Sequence, residues 1–321
     1  SGDDVTNSNQ ITCKYYNSNN IHTHKPDFAK CNLSLFHSNI RSLNKHSNDV
    51  VNYLSTLKSH FDIYGFSETW FTSDNDASLV DIGDFQVENS IRKDQRGGGV
   101  SLFVHSRINY CKRPDLSLDC PNCDSLFIEI SHNSQKTIVG IVYKPEYVIY
   151  DVFISQLAIV LNKISNENKP CNIMGDFNLN LLSHESDNKV NDFINILYSH
   201  DFVPCIDRPT RIKCNKKGQT SATLIDNIFT NDVTAHINSG ILVTDLSDHF
   251  PIFITKQQYI PKTSVPTLQI RKSRQLKPDN INGFKNALSL VDWDFVTNTL
   301  DPEEAYNTFD NKVSKLLNVH C

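Results

Sequence analysis

Short runs rich in β-branched and aromatic residues, a few helical periods between them, and acidic or amide residues at the ends of the runs predict an α/β (α+β) four-layer sandwich. Two packed mixed β-sheets with helices outside fit that pattern. At 321 residues the chain can bury a large core without disulfides.

Residues 1–31 are rich in Asn, Ser, Thr and His and hold no sustained period, so they read as a flexible N-terminal leader. His22 and His24 lie there without a Cys or acidic partner at metal-binding spacing, which makes them part of a polar loop. The next domain is expected over 32–256. Its first strand is read at 33–40, then an amphipathic helix at 47–59 carrying Val50, Val51, Leu54 and Leu57, then a strand at 63–67. Gly97, Gly98 and Gly99 form a flexible turn into a strand at 100–104; they lack the Lys-Ser/Thr of a nucleotide-binding loop. Strands at 126–130 and 137–143, a helix at 151–164, a short buried strand at 171–174, a helix at 190–198 and strands at 221–229 and 252–255 complete the domain. Beyond 256, Pro261, Pro266 and Pro278 space out a linker. Asp301-Pro302-Glu303-Glu304 then starts a helix with an N-cap, a first-turn proline and an acid three residues on.

No run approaches the ~20 apolar residues of a membrane span, so no membrane partner is expected. The N-terminus has neither the basic start nor the apolar centre of a signal peptide. Nine cysteines, an odd number without a framework, fit a reducing compartment, nucleus or cytoplasm. Cys120 and Cys123 form a single C-x-x-C; zinc would need ligands that the sequence does not offer beyond Cys111 and His132, and free thiols are the simpler reading. The net charge of -5 does not advertise a nucleic-acid binder, so any such binding must be local.

Met174 to Leu179 reads M-G-D-F-N-L, an apolar approach that puts the Asp176 carboxylate and the Asn178 amide at a strand's end. Gly, Asp and Asn are also turn formers, so the motif gains weight from Asp226 in T-L-I-D-N-I-F and from Ser247-Asp248-His249. Asn39 in S-N-I-R-S-L, Glu68 in S-E-T-W and Tyr143 in V-Y-K-P add three more polar strand ends. In that order the set resembles the endonuclease/exonuclease/phosphatase superfamily, whose fold is deoxyribonuclease I-like. The local wording is narrower: N-I-R-S-L, S-E-T-W, R-G-G-G-V-S-L-F-V, G-D-F-N, P-T-R, L-I-D-N-I-F and S-D-H-F-P look like the endonuclease domain of a jockey-like non-LTR (LINE-type) retrotransposon. The segment 257–321 is similar to the stretch leading toward a reverse transcriptase domain, absent here.

A phosphodiester repels nucleophiles and its alkoxide leaves poorly, so hydrolysis calls for a divalent ion. Glu68 with Asn39 offers hard oxygens suited to Mg²⁺, with Mn²⁺ as the other choice, and Asp248 is expected near the metal or the leaving oxygen. Asp176 is the candidate to activate water, with Asn178 holding it or the phosphate. Asp226 and His249 read as a carboxylate–imidazole pair. The resemblance implies phosphate-donor roles for Tyr143 and Thr210, with an interfacial core tyrosine as the lesser alternative for Tyr143. Arg41 stands where abasic-site endonucleases carry an Asp, which weakens a repair reading. Arg92, Arg96 and Lys144 are further candidates for DNA contact, and the hairpin at 211–220, with Arg211, Lys213, Lys216 and Lys217, is expected to enter the groove beside the cut.

The resemblance implies an enzyme that nicks one strand of double-stranded DNA, the 3′-hydroxyl then being extended on the element's RNA by a linked reverse transcriptase. A phosphoinositide or lipid phosphatase or phosphodiesterase of the same fold, and a domesticated module that binds DNA without cutting, are the alternatives.

Overall fold

The computed structural model describes residues 11–17, 21, 32–57, 61–92, 96–132, 135–214, 218–257 and 278–320. They fall into two units, divided between Ile260 and Pro261.

The first unit runs β1 (Thr12–Tyr16), β2 (Leu33–Asn39), α1 (Leu43–Thr56), β3 (Ile63–Ser67), β4 (Phe85–Ser90), β5 (Val100–His105), β6 (Asn109–Lys112), β7 (Asp124–His132), β8 (Gln135–Tyr143) and α2 (Tyr150–Glu167). It continues with β9 (Cys171–Asp176), α3 (Asn188–Ser199), β10 (Val203–Pro204), β11 (Arg211–Cys214), β12 (Thr220–Thr223), β13 (Asp226–Thr230), β14 (His236–Leu242) and β15 (Ile252–Gln257). A seven-stranded sheet has the order β1-β14-β15-β2-β3-β5-β4, a six-stranded sheet the order β10-β13-β9-β8-β7-β6, and β11 with β12 form a separate hairpin. Both large sheets are mixed, since β1–β14, β2–β3 and β8–β9 pair parallel and their other neighbours antiparallel.

Alternation along the strands builds the layers. On β2, Leu35 points into the core shared with Ile128, Ile141 and Met174 of the other sheet, while Phe36 points outward beneath α1. There Phe36, Phe61, Tyr64 and Phe66 interlock at centroid distances of 5.3–6.0 Å and meet Leu43, Val50 and Leu54 of α1. On the far side, Phe153 of α2 and Phe193 of α3 cover the second sheet, with Phe193 stacked edge-on to Phe229 at 5.6 Å. The result is helix, sheet, sheet, helix.

The element boundaries differ from the sequence reading where a local hydrogen bond outweighs periodicity. Thr12–Tyr16, expected within a flexible leader, is an edge strand: its backbone completes β14, and Tyr16 packs against Phe253 at 5.5 Å. Asparagine and serine around it hid the strand. Helix α1 starts at Leu43 because the Ser42 side chain accepts from Lys45 N. The single strand expected at 221–229 is two, with Leu224 and Ile225 crossing from the hairpin to the second sheet. His22, His24, Lys216 and Lys217 lie outside the described residues.

The second unit contains α4 (Pro278–Ser289), α5 (Asp294–Asn298) and α6 (Pro302–His320). Trp293 packs on Phe309 at 5.3 Å and so ties the start of α5 to α6. No helix among the described residues is long and apolar enough to cross a membrane.

Candidate active site

Topology gathers the polar strand ends. Because β2 and β3 are parallel, as are β8 and β9, Asn39 pairs with Ser67 just before Glu68, and Tyr143 pairs with Asp176. Strand β13 runs antiparallel, so its first residue, Asp226, comes opposite Asp176. His249 arrives just before β15 and is bridged to Arg211 of the hairpin. One cleft of about 220 Å³ is lined by Glu68, Tyr143, Asp176, Asn178, His249 and Arg41, among others.

Close packing at the strand end depends on Gly175, where a Cβ would lie 1.9 Å from Val142 O. Gly98, in the left-handed region at φ 73°, makes room for the Arg92 guanidinium, which a Cβ would meet at 2.4 Å. Of its neighbours, Gly97 lies against the Trp70 indole and Gly99 against Thr69.

Asn39 is the hinge of the cleft. Its Nδ2 donates to Glu68 Oε1 (2.9 Å) and to Asp176 Oδ2 (2.8 Å), while Arg41 N donates to its Oδ1 (3.1 Å). Trp70 Nε1 donates to the other Glu68 oxygen (3.2 Å). Each Glu68 oxygen, and Asn39 Oδ1 with its second lone pair, keeps capacity for a cation. That hard-oxygen set fits Mg²⁺ or Mn²⁺. A second group, Asp176, Asp226 and His249, is buried with ligand atoms within 4.8 Å of one another and could also hold a metal ion. There, however, His249 Nδ1 already lies 2.9 Å from Asp226 Oδ2 and 3.1 Å from Oδ1, so a cation would have to displace the shared proton.

Burial disfavours charge on His249, yet Asp226 and then Asp176 outweigh it and push the imidazole up to about 9. Burial raises Asp176 above the usual carboxylate range, and the neighbouring Asp226 adds to it. Asn178 steadies that carboxylate: its N–H donates to Asp176 Oδ1 (3.0 Å), and its Nδ2 donates to Lys144 O (3.0 Å). Burial, followed by Glu68 and Asp176, raises the Tyr143 phenol, which stays protonated as a donor.

The other expected residues divide. Thr210 is fully buried, donates to Asp226 Oδ2 (2.7 Å) and accepts from Asp226 N (3.2 Å), so its hydroxyl orients Asp226 and is not free for a phosphate. Asp248 takes Arg211 Nη2 at 2.6 Å and Arg41 Nη1 at 3.4 Å; its carboxylate serves two guanidiniums and makes no contact with Glu68 or Asn39. Lys144 is buried, its Nζ donating to Pro145 O (3.3 Å) beside the Phe153 ring, which withdraws it from a DNA surface. Arg92 is equally withdrawn, since Nε donates to Asp124 (2.8 Å) and Nη1 to Tyr147 (3.1 Å). Arg41, Arg96 and Lys213 remain exposed. Cys120 and Cys123 are free thiols with their sulfurs 2.9 Å apart, and no third ligand joins them among the described residues. Trp70 was not singled out by the sequence reading, although its place in S-E-T-W, two residues from Glu68, was visible.

Residues 137–253, which include Tyr143, Asp176, Asp226 and His249, match the family model described as Endonuclease-reverse transcriptase. Over that stretch the chain is similar to this family. Solved structures share the fold. The endonuclease domain of TRAS1, a telomere-specific non-LTR retrotransposon, superimposes with a TM-score of 0.53 at 13% identity, covering 71% of this chain and 99% of that one. The human Nocturnin catalytic domain with bound sulfate anion gives 0.51 at 12%, covering 70% and 93%. D. rerio TDP2 complexed with single strand DNA product gives 0.52 at 16%, covering 70% and 98%. No curated protein sequence matches the chain. At these identities the likeness establishes the endonuclease/exonuclease/phosphatase fold, and the residues must supply the chemistry.

Proposed function

We propose that residues 32–256 act as a metal-dependent endonuclease that nicks one strand of double-stranded DNA, and that the 3′-hydroxyl so made primes reverse transcription of a non-LTR retrotransposon. The observation that carries this reading is the single cleft lined by Glu68, Tyr143, Asp176, Asn178 and His249, drawn from both sheets. Residues 257–321 then lead toward a reverse transcriptase domain, with the element's RNA as a further partner, in an intracellular setting.

A Mg²⁺ or Mn²⁺ ion held by Glu68 and Asn39 would neutralise phosphate charge and ease departure of the O3′ oxygen. Asp176, fixed by Asn39 and Asn178, receives a proton from the attacking water as the new P–O bond forms. His249, protonated below about 9 and steered by Asp226, donates to a phosphate oxygen, as does the Tyr143 phenol. The P–O3′ bond breaks and the departing O3′ takes a proton from solvent water, leaving a 3′-hydroxyl and a 5′-phosphate. Asp226 and Thr210 act through His249, as positioning residues.

Supercoiled plasmid with the protein and Mg²⁺ should relax by single nicks with 3′-hydroxyl ends that a polymerase extends, and EDTA or Glu68→Gln should abolish this. Release of phosphate from phosphoinositides without nicking would point to the phosphatase alternative. DNA binding without any cutting would point to a domesticated module.

A further inference from the structure

Beside the catalytic cleft lies another of about 460 Å³, lined by Arg41, Lys45, His46, Trp70 and Arg96 together with apolar Ile40 and Leu246. That volume lies within the ~300–1,000 Å³ typical of small-molecule sites. Arg41 lines both clefts, so the two are adjacent. The Trp70 indole stands one hydrogen bond from Glu68.

Two of its cations are uncommitted, unlike most near the cleft. Arg92 and Arg211 are bound to Asp124 and Asp248. Among the described residues neither Lys45 nor Arg96 has an acidic partner, and both are exposed. Lys45 and His46 occupy the first turn of α1, which holds no acidic residue, although positive charge is disfavoured at that helix end. The Arg96 guanidinium lies 5.6 Å from the Trp70 ring centroid, so a planar group already rests on this π-face.

The backbone around the indole is strained. Arg41, Ser42, Glu68 and Trp70 all sit in the left-handed region, at φ 45°, 89°, 54° and 56°, without being glycine. Such conformations persist where surrounding bonds over-determine them. Ser42 N to Glu68 O (2.7 Å) and Trp70 N to Gly98 O (2.9 Å) lock the two loops together. These bonds, with that from Trp70 Nε1 to Glu68, hold the indole at the edge of the catalytic carboxylate.

We infer that this second cleft binds one nucleotide of the DNA strand next to the scissile phosphate, with the base on Trp70 and its phosphate on Lys45 and Arg96. Every base has a π-face and every nucleotide a charge, so the pair of contacts recognises a nucleotide without reading its sequence. The inference rests on the endonuclease reading and names the unit of substrate that the reading leaves open.

Trp70 and Trp293 are the two tryptophans, so Trp293→Phe leaves Trp70 as a single fluorescent reporter. In EDTA, where nothing is cut, a short DNA duplex should quench Trp70 emission saturably and shield it from acrylamide; inorganic phosphate should do neither, and a free mononucleotide should do so only at much higher concentration. By anisotropy of labelled DNA, Trp70→Ala should weaken binding about tenfold and Trp70→Phe by about twofold or less, because Phe keeps the π-face. Lys45→Ala with Arg96→Ala should lower the salt slope of binding by about one, because the two cations neutralise one phosphate. If DNA binds and is nicked while Trp70 emission and acrylamide access stay unchanged, the subsite is overturned and the endonuclease stands. Equal losses in Trp70→Phe and Trp70→Ala overturn it too, since the indole then acts only through its bond to Glu68. Quenching by phosphate alone, or a mononucleotide that binds as tightly as the duplex, overturns the assignment to a DNA strand. Absence of both binding and nicking overturns the subsite together with the reading beneath it.

Discussion

Strands β9 and β13 carry a buried polar site at each end, and the two ends are built on opposite terms. At one end Asn172 pairs with Thr230, and Lys256 Nζ donates to Asn172 Oδ1 (3.2 Å) and Thr230 Oγ1 (3.3 Å) while bridging to Asp232 at 3.0 Å. Four residues on, Asp176 pairs with Asp226 and both face a single imidazole. At the first end one cation meets one carboxylate: burial works against the charge on Asp232, but Lys256 more than offsets it and the acid is held below its usual range. At the second, carboxylates outnumber cations, and Asp176 is raised instead. A matched buried pair closes a sandwich; a surplus of carboxylate leaves protons to be moved.

The sharpest way to break that comparison is to remove the imidazole. His249→Ala and Asp226→Ala should each slow nicking by about 10²–10⁴, the range for a positioned proton-transfer group. The double variant should be little worse than either, because the two act as a unit. Rates that multiply in the double variant would separate the pair.

Lys256→Met tests the other end. It strands Asp232 and leaves Asn172 Oδ1 without its buried donor, which should cost roughly 3 kcal/mol in urea unfolding. Nicking per folded molecule should stay at the wild-type level. A slower folded enzyme would mean that the far end also feeds the site.

Stability against pH refines the contrast further. His249 has a folded pKa near 9 against 6.5 in the unfolded chain, so its contribution is fully present below about 6.5 and is lost as pH rises through 9. In EDTA, wild type should lose on the order of 3 kcal/mol across that window beyond what His249→Gln loses. Parallel curves for the two proteins would remove the raised imidazole from the account.

A small effect on rate is expected at the β11–β12 hairpin, which is tied to the site through Arg211 and through Thr223 O, which accepts from Thr210 N (2.9 Å). Keeping Arg211 and replacing 212–220 with a short neutral turn should redistribute nick positions on a mapped plasmid more than it lowers total nicking. An unchanged map would place target choice elsewhere.

Much of this was legible along the chain. Short runs rich in β-branched and aromatic residues at 33–40, 63–67 and 137–143 gave away strands, because a strand covered on both faces needs an apolar run of that length. Acidic and amide residues at the ends of those runs were conspicuous because a buried strand has no other use for them. No comparable pattern marked the first strand, whose Thr12–Tyr16 segment is short and flanked by polar residues; it forms because β14 offers an open edge.

The sequence by itself determined which residue types stand at the strand ends, since that depends only on spacing within each element. The tertiary structure decided which charges are free. Arg92, Lys144 and Arg211 look identical to Arg96 and Lys213 in a list of cations, but the first three are spent on Asp124, a backbone carbonyl and Asp248. Thr210 likewise became a support for Asp226 only once the hairpin turned back on β13. The availability of a charge depends on partners distant in sequence, and only folding brings them within hydrogen-bond reach.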